Sequence, residues 1–93
     1  MIKKRLVILG GGESGVGTAI LAQQKGWEVF LSDKGTLKEA HRQELTDHQI
    51  DFEEGQHTES LILNATEVVK SPGIPDKVAM IQLLRQIRFL TIG

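Results

Sequence analysis

Arg5-Leu6-Val7-Ile8-Leu9-Gly10-Gly11-Gly12-Glu13-Ser14-Gly15 is the stretch that decides the fold. The apolar run after Arg5 reads as a strand buried on both faces, because parallel strands covered by helices lose the alternation of a half-exposed strand. Glycines follow at the G-x-G-x-x-G spacing of Gly10, Gly12 and Gly15. From Gly15 to Lys25 the residues Val16, Ala19 and Ile20 then share one helical face, with Gly26 as the stop signal. A strand, a glycine turn and a helix in this order open a nucleotide-binding βαβ unit. Gly10 permits the tight turn, Gly12 lets phosphate oxygens approach the backbone, and Gly15 lets the helix lie close to the sheet. The N–H groups of Glu13 to Gly15, at the positive end of the helix dipole, would face a pyrophosphate. A glycine-rich turn without a ligand is the alternative.

Beyond this unit, Trp27 to Ser32 reads as a second strand, and Asp33-Lys34-Gly35 as a turn. Thr36 would cap a largely polar surface helix from Leu37 to His48, with Leu37, Ala40 and Leu45 as its buried stripe. Ile50 to Phe52 forms a third strand, Thr58 to Leu63 a brief helix, and Glu67 to Lys70 a fourth strand. Ser71-Pro72-Gly73 breaks the chain before a last helix with Val78, Ile81, Leu84 and Ile87 on its apolar face. Arg88 to Ile92 is the fifth strand. Strands separated by helices imply right-handed crossovers. The expected fold is α/β, a Rossmann-like doubly wound five-stranded parallel sheet in the order 3-2-1-4-5, as a single small domain over residues 1–93. Its ligand crevice would lie outside the strand carboxyl ends, at the switch point between strands 1 and 4.

Two more loops reach that crevice. Asp33 stands at the end of strand 2, on the order of 20 residues past the glycine motif, where dinucleotide folds place a ribose-binding acid. A turn aspartate bonding its own backbone is the alternative, and a carboxylate there disfavours NADP. Lys70-Ser71-Pro72-Gly73-Ile74-Pro75 ends strand 4, stiffened by two prolines; Ser71 and the Gly73 backbone could donate to phosphate or sugar, and Lys70 adds a charge. His41, His48 and His57 lack zinc-site spacing and read as solvated surface histidines. Glu53 and Glu54 read as a charged strand end, and Trp27 as a packing residue.

Composition removes several function classes. With 93 residues there is room for one modest core. A net charge of −1 gives no case for nucleic acid as a partner, and no apolar run is long enough for membrane insertion. The absence of cysteine excludes disulfides and thiolate metal sites, and a cytoplasmic location is expected. No G-x-x-x-x-G-K-[ST] occurs, so the chain carries no ATP phosphate loop of that kind.

Four segments carry a family resemblance: V-I-L-G-G-G-E-S-G-V-G from Val7, F-L-S-D ending at Asp33, E-E-G-Q-H-T-E from Glu53, and V-V-K-S-P-G-I-P from Val68. Together they resemble the N-terminal domain of the D-glutamate-adding Mur ligases over essentially the whole chain. The resemblance implies a domain that binds the UDP moiety of UDP-N-acetylmuramoyl-L-alanine for ATP-dependent, ADP-forming ligation of D-glutamate. That step belongs to peptidoglycan biosynthesis, and so to cell-wall biogenesis, cell shape and cell division. It also implies a central domain holding ATP and magnesium and a C-terminal domain beyond Gly93, so the chain is expected to be a truncated piece, inactive alone, with no cofactor of its own. By position, Gly12, Glu13, Ser14, Gly15 and Val16 resemble the pyrophosphate and uridine loop, and Asp33, Lys34 and Gly35 the uracil-side loop. Ser71, Pro72 and Gly73 resemble the loop over diphosphate and sugar. Lys34 and Gly35 stand where relatives can carry threonine and arginine. No residue here takes a catalytic or metal-binding role. The other reading is an NAD-binding Rossmann domain of a dehydrogenase or regulatory NAD sensor, which rests on the glycine motif and Asp33.

Overall fold

The computed structural model of the chain describes residues 4–70 with their side chains and residues 88–91 by backbone. The expected α/β organisation with a parallel sheet is present. Its strands are β1 (Arg5–Leu9), β2 (Glu28–Asp33), β3 (Asp51–Glu54), β4 (Glu67–Lys70) and β5 (Arg88–Thr91), hydrogen-bonded in the order β3-β2-β1-β4-β5. All four pairings are parallel. The helices are α1 (Glu13–Gln24), α2 (Glu39–Asp47) and the short α3 (Glu59–Ile62). The Ser71-Pro72-Gly73 turn and the helix expected around Val78 to Ile87 lie outside the described residues.

β1 is apolar because it has strands on both sides and cover on both faces. Leu6 and Ile8 turn to one face, where they meet Val29, Leu31 and Val69 of the neighbouring strands and Val16, Ala19 and Ala22 of α1. Leu37, Leu45 and Ile50 close the same core beside α2. The opposite face carries Val7, Leu9, Phe30 and Val68, also buried, with Ile62 of α3 buried as well. Removing such a side chain to alanine costs about 2–5 kcal/mol. Arg5 marks which face α3 covers: its guanidinium donates to the Leu61 carbonyl and Asn64 Oδ1 around α3, and to Glu28 on β2. Among the described residues no helix is long and apolar enough to cross a membrane.

Both longer helices end in the same way. Beyond α1, Gly26 takes a left-handed φ of +93°, its N–H reaches the Gln23 carbonyl, and the Trp27 N–H reaches Ala22. Beyond α2, Gln49 takes φ +58°, its N–H reaches Thr46, and the Ile50 N–H reaches Leu45. These paired bonds satisfy the last helical carbonyls, and the buried Leu45 and Ile50 supply the apolar contact that goes with them. The start of α2 differs from expectation. Thr36 does not cap it; Lys38 occupies that position without a side-chain capping bond. Leu37 is drawn into the core and its N–H is taken by Glu54 Oε1 at 2.7 Å, so the backbone enters the helix two residues later than periodicity suggests.

Candidate nucleotide site at the carboxyl ends of the strands

The glycine-rich loop leaves β1 at the switch point, between β2 on one side and β4 on the other. Gly10 has φ +111°, a conformation L side chains rarely adopt. Gly12 stands immediately before α1 in extended backbone, and among the described residues, its chain neighbours aside, no atom lies within 4 Å of where its Cβ would be. The Cβ of any residue at 15 would overlap the Gly10 carbonyl oxygen, so the first turn of α1 packs directly on the strand end. Gly11, to which the motif assigns no task, is also crowded, though by side-chain ends rather than backbone: a Cβ there would overlap Leu37 Cδ2 and lie 3.2 Å from Asp33 Oδ2. Inside α1 the first N–H to find a carbonyl is that of Val16, which reaches Gly12 at 3.0 Å. The N–H groups of Glu13, Ser14 and Gly15 precede that first helical bond and lie at the positive end of α1. Glu13 and Ser14 are exposed, whereas Val16 is buried in the core with its N–H already used. Val16 therefore presents neither group to the crevice.

Asp33 closes the loop. Its Oδ2 accepts the Gly11 N–H at 2.6 Å and its Oδ1 accepts the Gly35 N–H at 2.7 Å. The turn-aspartate alternative is thus realised, with a second bond that reaches across to the glycine loop. Lys34 and Gly35 are exposed beside it. Glu54 and Arg42 hold the other flank: Glu54 takes the Leu37 N–H, Arg42 donates to the Leu37 carbonyl at 3.1 Å, and the two side chains pair at 3.2 Å. Between these flanks lies an open cleft of about 230 Å³, whose lining includes Gly12, Glu13, Asp33, Thr36, Lys38 and His41. That volume suits part of a nucleotide, since sites for whole small ligands span roughly 300–1,000 Å³. A larger cavity of about 340 Å³ lies at Thr46 and Gln49 to Phe52, at the amino end of β3. Parallel sheets place ligands at the opposite ends of their strands, which favours the smaller cleft. The third expected loop, Ser71, Pro72 and Gly73, lies outside the described residues, and Lys70 before it is buried.

Three residues read as surface charges are not. Ser32, fully buried at the end of β2, places its Oγ 2.9 Å from Glu53 Oε2, 3.2 Å from the Gln56 carbonyl and 2.6 Å from His57 Nδ1. Glu53 also accepts the Thr58 N–H at 2.8 Å and the Thr58 hydroxyl at 2.6 Å. Burial alone would raise the Glu53 carboxyl, but the bonds from Thr58 and Ser32 and the nearby His57 hold it below the usual carboxylate range. Burial pushes His57 below the usual histidine range; Glu53 and Asp33 oppose that shift and Lys34 adds to it. His57 and Glu53 are thus half-buried partners behind the second loop, and Glu54 is a backbone clamp. One sequence signal pointed there: E-E-G-Q-H-T-E was among the segments carrying the family resemblance.

A parallel α/β sheet with a glycine-rich loop feeding a helix N-terminus at its switch point defines a Rossmann-like α/β class. Comparison with known proteins narrows the class. Residues 5–80 match the family model of the MurD N-terminal domain, and the chain belongs to that family. It is 55% identical over 83 residues to UDP-N-acetylmuramoylalanine--D-glutamate ligase of Christiangramia forsetii, covering 89% of this chain and 19% of the relative. The ligase of the same name from Bacteroides thetaiotaomicron is 55% identical over 82 residues, 88% of this chain and 18% of the relative. The chain thus spans about a fifth of the length of these relatives. Among solved structures, a pseudomurein peptide ligase type C from Methanothermus fervidus superposes with a TM-score of 0.81 at 22% identity, over 96% of this chain and 19% of that one. At that identity the match shows a shared fold.

Proposed function

We propose that this chain binds the UDP moiety of UDP-N-acetylmuramoyl-L-alanine, on behalf of a cytoplasmic enzyme that joins D-glutamate to it in peptidoglycan synthesis. The observation that carries the reading is the open approach at Gly12, where, among the described residues, no neighbouring atom stands within 4 Å in front of the first turn of α1. Diphosphate oxygens there would receive backbone N–H groups and the positive end of the helix dipole. Glu13, Ser14 and Gly15 would contribute those groups, and Ser71, Pro72 and Gly73 would close from the β4 side. The cleft beside Asp33, Lys34 and Gly35 would take the uridine end. The NAD reading loses force because each Asp33 oxygen already accepts a backbone N–H, so the carboxylate serves the loop before it serves a ribose.

In the ligation, this domain supplies binding energy to the remote nucleotide handle and so positions the reacting carboxylate elsewhere. The residues that activate the carboxylate with ATP and magnesium belong to other parts of the parent enzyme. Backbone NMR titration of the 93-residue chain with UDP, UDP-N-acetylmuramoyl-L-alanine and NAD tests the reading. Shifts at Gly12 to Gly15 with both uridine ligands are expected; shifts with NAD alone would overturn it. The same chain given substrate, D-glutamate, ATP and magnesium should release no phosphate above a buffer control, because it holds no phosphate loop with which to position the γ-phosphate.

A further inference from the structure

The trio of Ser32, Glu53 and His57 behind the second loop has no part in the binding just described, yet its geometry favours one proton arrangement. Ser32 Oγ has three polar neighbours and one proton. Two of those neighbours, Glu53 Oε2 and the Gln56 carbonyl, only accept. Were the proton given to His57 Nδ1, Oγ would face the carboxylate oxygen at 2.9 Å with no hydrogen between them, in a fully buried position. If His57 Nδ1 carries a hydrogen, it donates to Oγ, and the hydroxyl donates in turn to Glu53, the nearer and ionised acceptor. Only the second arrangement places a proton in both short contacts.

Ser32 is also where the glycine-rich loop is fastened. Its carbonyl accepts the Gly10 N–H at 2.8 Å, and the carboxylate of the next residue, Asp33, accepts the Gly11 N–H at 2.6 Å. Two consecutive loop residues therefore hang from two consecutive residues of β2. The register places Leu9 opposite Ser32 on one side and Glu53 on the other. A side chain that fixes the Ser32 hydroxyl fixes the strand end from which the loop is held.

We infer that His57 is a positioning residue for the glycine-rich loop: donating from Nδ1 to the Ser32 hydroxyl, it orients that hydroxyl toward Glu53 and locks the β2 terminus that bears Gly10 and Gly11. Its consequence for ligand affinity rests on the UDP-binding reading; its consequence for the loop does not. Burial opposes charge on the His57 ring, and in the neutral ring the relay requires the Nδ1–H tautomer.

The test is NMR on the 93-residue chain, first without ligand. The ring nitrogens of His57 should show a protonated Nδ1 and an unprotonated Nε2; the reverse assignment overturns the inference without any variant. His57→Ala should speed amide hydrogen exchange at Gly10 and Gly11 about tenfold, the effect of one lost hydrogen bond. His57→Asn, whose amide nitrogen can stand near the Nδ1 position, should restore slow exchange, and His57→Gln, whose amide reaches the Nε2 position, should not. Unchanged exchange in a folded His57→Ala, or equal rescue by both amides, overturns the inference. UDP is then titrated into wild type and variants. With binding, Kd should rise about tenfold in His57→Ala and recover in His57→Asn; a Kd unmoved by His57→Ala overturns the effect on affinity. Wild type that ignores UDP defeats the binding reading and leaves the exchange data to judge His57.

Discussion

Gly12 stands in ordinary extended backbone with no described residue crowding the place of its Cβ, whereas a Cβ on Gly15 would run into the carbonyl oxygen of Gly10. The two glycines of one motif therefore differ in what they cost to replace. Gly12→Val keeps the fold, losing no more than about 1 kcal/mol at the helix cap, but fills the approach proposed for phosphate oxygens. Gly15→Ala forces strand and helix apart at a backbone contact, and overpacking of that kind costs typically 1–3 kcal/mol. Melting curves and UDP titrations of both variants check this. Gly12→Val should weaken binding more than tenfold with a melting shift of a few degrees, and Gly15→Ala should melt clearly lower. A Gly12→Val protein that loses stability and binding in equal measure would restrict Gly12 to a turn role. The glycine spacing was legible because its demands are local. His57 and Glu53 were not, since their partner Ser32 is 21 to 25 residues away and meets them only through the β2–β3 register and the loop that follows. No periodicity in the sequence reports that register.

At the scale of elements, the contrast lies between the two helix ends. Gly26 and Gln49 occupy equivalent left-handed positions, but only the first is a glycine. An L side chain in that conformation costs roughly 1–2 kcal/mol, which the two cap bonds and the Leu45–Ile50 contact offset. Gln49→Gly should therefore stabilise the chain by about 0.5–1 kcal/mol once glycine's greater unfolded-state entropy is counted. Gly26→Ala meets no steric neighbour among the described residues and should cost about 1 kcal/mol for conformation alone. Thermal midpoints measure both, and a Gln49→Gly variant that melts lower would contradict the strain assigned to Gln49. The end of α1 could be read from Gly26. The end of α2 carried no such mark, and its start was misplaced because Glu54, 17 residues downstream, holds Leu37 out of the helix.

For the whole molecule, Glu53 and His57 titrate in one direction. Both are held below their ordinary values, about 4.5 and 6.5. The folded chain thus binds these protons less readily than the unfolded chain. The stability they contribute is present above the ordinary values and is lost as pH falls through the folded ones. The thermal midpoint should hold from pH 8 to about 6.5, decline below that as His57 charges, and fall further below about 4.5 as Glu53 is neutralised. His57→Asn should remove the upper part of the decline. A midpoint that rises between pH 7 and pH 5 would contradict the assignment of His57, and one that rises below about pH 4.5 that of Glu53.

The sheet ends at β3, with Asp51, Glu53 and Glu54 among its four residues. A second copy docking in register along that edge would set aspartate against aspartate and glutamate against glutamate. One docking in the opposite direction would set Asp51 against Glu54. Like charges directly across a ladder are unfavourable in either direction. The strand that completes the domain on this side also discourages fibre growth from it, and that protection is strongest at neutral pH, where the carboxylates are ionised.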